Sequence, residues 1–174
     1  FWLKCFGSRR ARAHPPQTSR AMAGASRVQR FKALQDLLDA AAAAPPGPGP
    51  AGAGREAALA ALAALLPDAV VQQALHIVDA GDVTCVRSRK GRQVYEVRGK
   101  KDTHAVLPHG IYCSCPYFAR RVIEGGELCC KHWLAVQLTR GRFASAASAA
   151  VLGEDEFVER AKQRLAGSPA QGAW

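Results

Sequence analysis

Two short pairs of thiol and imidazole side chains constrain this chain more than any other feature. Cys113-x-Cys115 is followed, after fourteen intervening residues, by Cys130-x-His132. On an extended strand residues i and i+2 share a face, so Cys113 and Cys115 can point at one ion together. On a helix the same step turns the side chain through about 200°. Cys130 is therefore expected just ahead of a helix, with His132 in its first turn. Pro116 stops the strand after Cys115, and Gly125-Gly126 lets the chain turn back. Three thiols and one imidazole in two tight pairs suit a single tetrahedral zinc ion. Four protein donors leave no position for water, which makes such a site structural rather than catalytic. Cys129 opens an alternative, a Cys-x-x-His pair with Cys129 in place of Cys130.

The rest of the chain reads as helices, then strands, then helices. Residues 1–26 are basic and without a hydrophobic pattern, and disorder is expected there. Three readings fit residues 1–21: a gene-model extension ahead of a start at Met22, an Arg-rich organellar presequence, or a basic tail. Val28, Phe31, Leu34 and Leu38 give residues 27–44 a helical period. Residues 45–54, PPGPGPAGAG, read as a Pro/Gly linker. The unit at 55–142 opens with an Ala/Leu-rich helix to Leu66, broken at Pro67. Asp68 is placed to cap a second helix, with Val71, Leu75 and Val78 on one face up to Gly81. The helices before the strands offer either a partner-binding surface or a covering for the metal domain.

The period then shifts to two. Residues 83–87, 93–97 and 103–107 read as strands, with turns at Gly91 and Gly99, and 111–114 as a fourth leading into the cysteines. The helix after His132 is apolar around much of its circumference, leaving Trp133 or Leu138 available to a partner. Residues 144–150, rich in Ala and Ser, read as a weak linker, and 153–166 as a last helix with acids first and bases later. The fold class is α+β: a small antiparallel sheet and a zinc finger, flanked by amphipathic helices.

At 174 residues and 48% hydrophobic content the chain can bury one core. Its formal net charge of +10 is uneven, because eight bases and no acid lie in the first 32 residues. The remainder holds sixteen bases against fourteen acids, so total charge says little about nucleic acid. Arg87, Arg89, Lys90, Arg92, Arg98, Lys100 and Lys101 do cluster around two hairpin turns, which suits either phosphate contacts or a solvated surface. No run of apolar residues is long enough for a membrane span. Cysteines placed in metal-ligand pairs point to a reducing compartment. His76, His104 and His109 are scattered, and neither a glycine-rich phosphate loop nor an acidic cluster is present, so an enzyme is not expected.

Cys-x-Cys…Cys-Lys-His, with Phe118 after the first pair and a preceding strand GRQVYEV at 91–97, resembles the SWIM-type zinc-finger family. The resemblance covers roughly residues 69–140. It implies that the third thiolate is Cys130, giving Cys113, Cys115, Cys130 and His132 as ligands of one structural Zn²⁺. The similarity is strongest to the SWIM subunits of Shu complexes. It implies a non-catalytic adaptor that pairs with a RecA-like recombinase paralogue in the nucleus. Such a pair promotes recombinase filaments on single-stranded DNA, which it meets indirectly, in homologous recombination and repair. No membrane and no small-molecule substrate are implied. The alternative is a direct DNA-binding module like those of transposases or transcription factors.

Overall fold

The computed structural model describes residues 25–43, 50–107, 109–140 and 148–166. The expectations for residues 1–24 and for the linker at 45–49 lie outside these. Three helices come first: α1 (Arg27–Ala43), α2 (Pro50–Leu65) and α3 (Asp68–Asp79). Strands β1 (Val83–Ser88), β2 (Gln93–Arg98), β3 (Thr103–Leu107) and β4 (Tyr112–Cys113) form an antiparallel meander. A π-helical stretch, Phe118–Glu124, leads to helix α4 (Lys131–Arg140). Strand β5 (Ser148–Leu152) and helix α5 (Glu154–Leu165) follow. The fold class is α+β, as expected, with one sheet in the order β4-β3-β2-β1-β5.

Three local expectations are corrected. The segment 50–54, read as linker, is the first turn and a half of α2. A proline at the first helical position has no intrahelical partner to lose there. Residues 148–150, read as linker, belong to β5, which pairs parallel with β1 from Thr84↔Ser148 to Ser88↔Leu152. The Thr84 and Ser148 hydroxyls add a 2.9 Å hydrogen bond at that pairing. Asp68 is the first residue of α3 rather than its cap, and Pro67 holds the cap position. The acid still favours the positive end of the helix dipole. Gly81 ends α3 at φ 69°, where its N–H meets Val78 O and the Asp82 N–H meets Ile77 O. That pair of bonds is a Schellman closure, which needs a left-handed residue.

The sheet is covered on both faces. On one, α4 packs on Cys85, Tyr95, Val97 and Val106; α1 and α3 cover α4 in turn, and α2 packs against α1 and α3. Leu34, Leu62, Leu134 and Leu138 are fully buried there; each such side chain stabilises by about 1.5–3 kcal/mol. The inner faces of the N-terminal helices therefore serve as covering for the metal domain. On the opposite face α5 lays Phe157 over Val86, Val94 and Ala105. Glu96 faces α5, 5% exposed, and Arg160 holds it with two 2.8 Å hydrogen bonds while Arg164 approaches to 3.4 Å. The Tyr112 hydroxyl donates to Leu165 O, fixing the far end of α5. Among the described residues no helix is long and apolar enough to cross a membrane.

The candidate metal centre

The four residues named from spacing come together. One donor atom from each of Cys113, Cys115, Cys130 and His132 lies within 4.8 Å of all the others, and all four residues are buried. Each pair is held by backbone bonding. Cys113 ends β4 opposite Val106. The next residue, Ser114, grips β3 twice: its N–H donates to Ala105 O, and its hydroxyl accepts from Ala105 N–H, both at 2.9 Å. Those bonds carry the extended chain past β4 so that Cys115 returns to the same face as Cys113. The Cys115 sulfur accepts the Phe118 N–H at 3.3 Å as the π-helical stretch begins.

The second pair opens α4. The Leu134 N–H bonds Cys130 O, and the Trp133 N–H reaches the Cys130 sulfur at 3.5 Å. Cys130 thus stands at the N-cap, where a sulfur takes the place usual for a serine or aspartate oxygen. A helix N-terminus favours negative charge, so this position supports a thiolate. His132 lies in the first turn, its Nδ1 3.9 Å from the Cys113 sulfur. Between the pairs, Gly125 and Gly126 turn the chain back. A Cβ on Gly125 would sit 2.8 Å from Arg121 O, and Gly126 has φ 73°. Glu127 anchors the turn through the Tyr117 hydroxyl at 2.5 Å and Arg121 Nε at 2.8 Å. Arg27, from α1, donates to Val122 O and to Glu127 O.

The donor chemistry fits a divalent soft cation. Hydrogen bonding to Cys115 and Cys130, with burial, pushes the Cys113 thiol up, whereas hydrogen bonding from Cys113 and Cys130 pulls Cys115 down. Without a cation, thiols this close cannot all carry charge; with one, three thiolates coexist. The separations suit tetrahedral zinc, whose ligand atoms stand roughly 3.6–3.8 Å apart at ordinary bond lengths. Cys129 is 1% exposed and outside the group, and burial raises its thiol. The geometry therefore favours Cys130-x-His132 as the second pair.

Other expected site features are placed differently. Trp133 and Leu138 are 1% and 0% exposed, so neither is available to a partner. Trp133 is covered by Phe31 of α1, ring centroids 5.7 Å apart, and its indole N–H donates to Gly110 O. The seven basic residues do not form one patch. Successive strands of a meander reverse direction, so the 89–92 and 99–102 turns lie at opposite ends of β2, roughly 20 Å apart for six residues. Arg92 is paired with Glu154, and Arg98 with Asp82. Of the cations near the metal group, Arg121 is engaged by Glu127, and Lys131 Nζ donates to Gln73 Oε1 at 2.9 Å.

His104 belongs to the site's surroundings, with no local signal in the sequence. Its ring lies 4.4 Å from that of His132, and burial, then the neighbouring His132, lowers its pKa. Only the register of β3 brings it there. His104 and His132 share an open groove of about 280 Å³ with Val70, Gln73, Tyr117 and Lys131.

A small α+β domain whose strand end and helix start converge on three thiols and an imidazole is an arrangement of the zinc-finger kind. The relatives bear this out by name. Zinc finger SWIM domain-containing protein 7 of Homo sapiens is 43% identical over 70 residues, 39% of this chain and 50% of that protein. The Mus musculus protein of the same name is 43% identical over 70 residues, 39% of this chain and 46% of the relative. That of Danio rerio is 41% identical over the same length, 39% and 50% of the two chains. The similarity relates the chain to the SWIM zinc-finger family. The chain spans about half the length of the curated relatives it matches. No family model and no solved structure matches it. With the relatives named for a zinc finger and the donor set as described, the cofactor is zinc.

Proposed function

We infer that this chain is a non-catalytic adaptor in which zinc fixes the fold. Its partner is a RecA-like recombinase paralogue, with which it promotes recombinase filament assembly on single-stranded DNA in homologous recombination. The nucleus is the compartment this reading requires. The observation that carries it is the four-donor group itself, buried and complete, in a chain related to the SWIM domain-containing 7 proteins. A saturated site offers zinc no Lewis-acid or water-activating role, which leaves it a structural one. Direct DNA binding is the weaker reading, because the basic turns are divided between the two ends of the sheet and two of their arginines are paired with carboxylates.

The test is a pull-down of a RecA-like paralogue by the purified chain, beside single-stranded DNA binding at two salt concentrations. The adaptor reading expects retention of the paralogue and weak DNA binding by the chain alone. Tight, salt-sensitive DNA binding with no paralogue retained would overturn it in favour of a DNA-reading module.

A further inference from the structure

The two edges of the sheet differ. β4 is two residues long and runs straight into the Cys115-Pro116 turn, so it offers almost nothing to pair with. β5 is five residues long, Ser148-Ala-Ala-Val-Leu152, with no charge, proline or bulge along it. Such residues are the usual devices that keep an edge from pairing. β1 occupies one side of β5, and among the described residues nothing pairs with the other. Ser148 and Ala149 are exposed, and Val151 is 65% exposed on the face it shares with Arg87.

We propose that the outer edge of β5 receives an extended acidic segment of a partner protein by strand addition. Main-chain hydrogen bonds supply affinity in this mode, and alternate side chains supply selection. Charge on the Arg87 face chooses the partner's sign; the acids Glu154, Asp155 and Glu156 open α5 on the other face, Glu154 paired with Arg92. Arg87, Arg89 and Lys90 are exposed where β1 turns beside the Leu152 end of β5, and Arg87 lies opposite Val151 in the register. A carboxylate on the added strand opposite Val151 is two strand spacings, roughly 10 Å, from Arg87, within the joint reach of two long side chains. A second copy is disfavoured on two grounds. Five paired residues bury far less than the roughly 1,200 Å² of a stable dimer, and the remainder of the chain beyond residue 32, nearly balanced at sixteen bases to fourteen acids, offers a second copy little charge complementarity. The proposal rests on the adaptor reading only in needing a protein partner; it does not depend on that partner being a recombinase paralogue.

The test uses the full zinc-loaded chain and a fluorescent dodecapeptide alternating valine with glutamate, against its valine–lysine counterpart. The acidic peptide binds and the basic one does not. Val151→Asp, at an exposed position, weakens binding about tenfold or more with no change in melting temperature, and Arg87→Glu with Arg89→Glu also weakens it. Ala149→Asp serves as a second edge variant should Val151→Asp prove unstable. Equal binding by wild type and both edge variants, or by both peptides, overturns the proposal. So does a dimer in sedimentation that either edge variant dissolves, which would give the edge to a second copy. A chain that takes the acidic peptide yet retains no RecA-like paralogue keeps this inference and sinks the adaptor reading. A paralogue retained by a chain whose wild type and Val151→Asp bind the acidic peptide equally does the reverse.

Discussion

The Cys113 sulfur and His132 Nδ1 lie 3.9 Å apart although nineteen positions separate them in the chain. Cys113 belongs to the end of β4 and His132 to the first turn of α4, so the contact ties the last strand of the meander to the helix that covers it. An ion bound between them joins two elements with little else in common. Its binding free energy is then folding free energy.

The covering of α4 by the N-terminal helices gives one prediction. Leu34, on the inner face of α1, is fully buried, whereas Val28, six residues earlier on the same helix, is 79% exposed. Leu34→Ala is expected to cost about 2–5 kcal/mol, the range for a leucine cavity. Val28→Ala should stay within about 0.5 kcal/mol. Urea unfolding followed by far-ultraviolet circular dichroism measures both.

A second concerns pH. Hydrogen bonding from Arg160 holds the Glu96 carboxyl below the usual carboxylate range, against the opposing effect of burial. A lowered folded pKa means that the unfolded chain binds the proton first. The stabilisation is therefore present above about pH 4.3 and lost as pH falls through the folded value. Glu96→Gln should be less stable at pH 7 and flatter in acid, so that the gap in melting temperature between it and wild type closes from pH 6 to pH 3. Arg160→Ala should cost more than Glu96→Gln at pH 7, since it leaves a buried carboxylate with only Arg164 near it. A gap that does not narrow in acid would contradict this account.

The finger's return turn gives a third. Gly126→Ala places a Cβ in the left-handed region, at about 1–2 kcal/mol. Gly125→Ala should cost more, because its Cβ meets the Arg121 carbonyl at 2.8 Å, a backbone atom that cannot swing aside. Both should weaken zinc binding, Gly125→Ala the more, in competition with a chromogenic chelator.

Much of the site was legible because its determinants are local. The Cys-x-Cys and Cys-x-His pairs lie within three residues each, and the two-residue period of 83–107 marks β1 to β3 directly. What escaped depended on distant parts of the chain. Ser-Ala-Ala-Val-Leu has weak strand propensity and becomes β5 only because β1 offers it a free edge. Trp133 was expected on a surface because its helix is apolar all round. The same pattern means burial on every side once α1 lays Phe31 over it. The basic turns looked like one cluster in sequence, and the reversal of direction at each hairpin separates them. His104 reaches His132 through the pairing of whole strands, which no local spacing encodes.

The central claim is that Cys113, Cys115, Cys130 and His132 hold one zinc that fixes the fold, with Cys129 a buried bystander. Zinc content per chain, measured by mass spectrometry on purified Cys129→Ala and Cys130→Ala variants beside wild type, tests it most directly. The account predicts one zinc per chain in wild type and in Cys129→Ala. In Cys130→Ala it predicts a loss of zinc, accompanied by loss of helical circular dichroism. Full zinc in Cys130→Ala with loss in Cys129→Ala would contradict it.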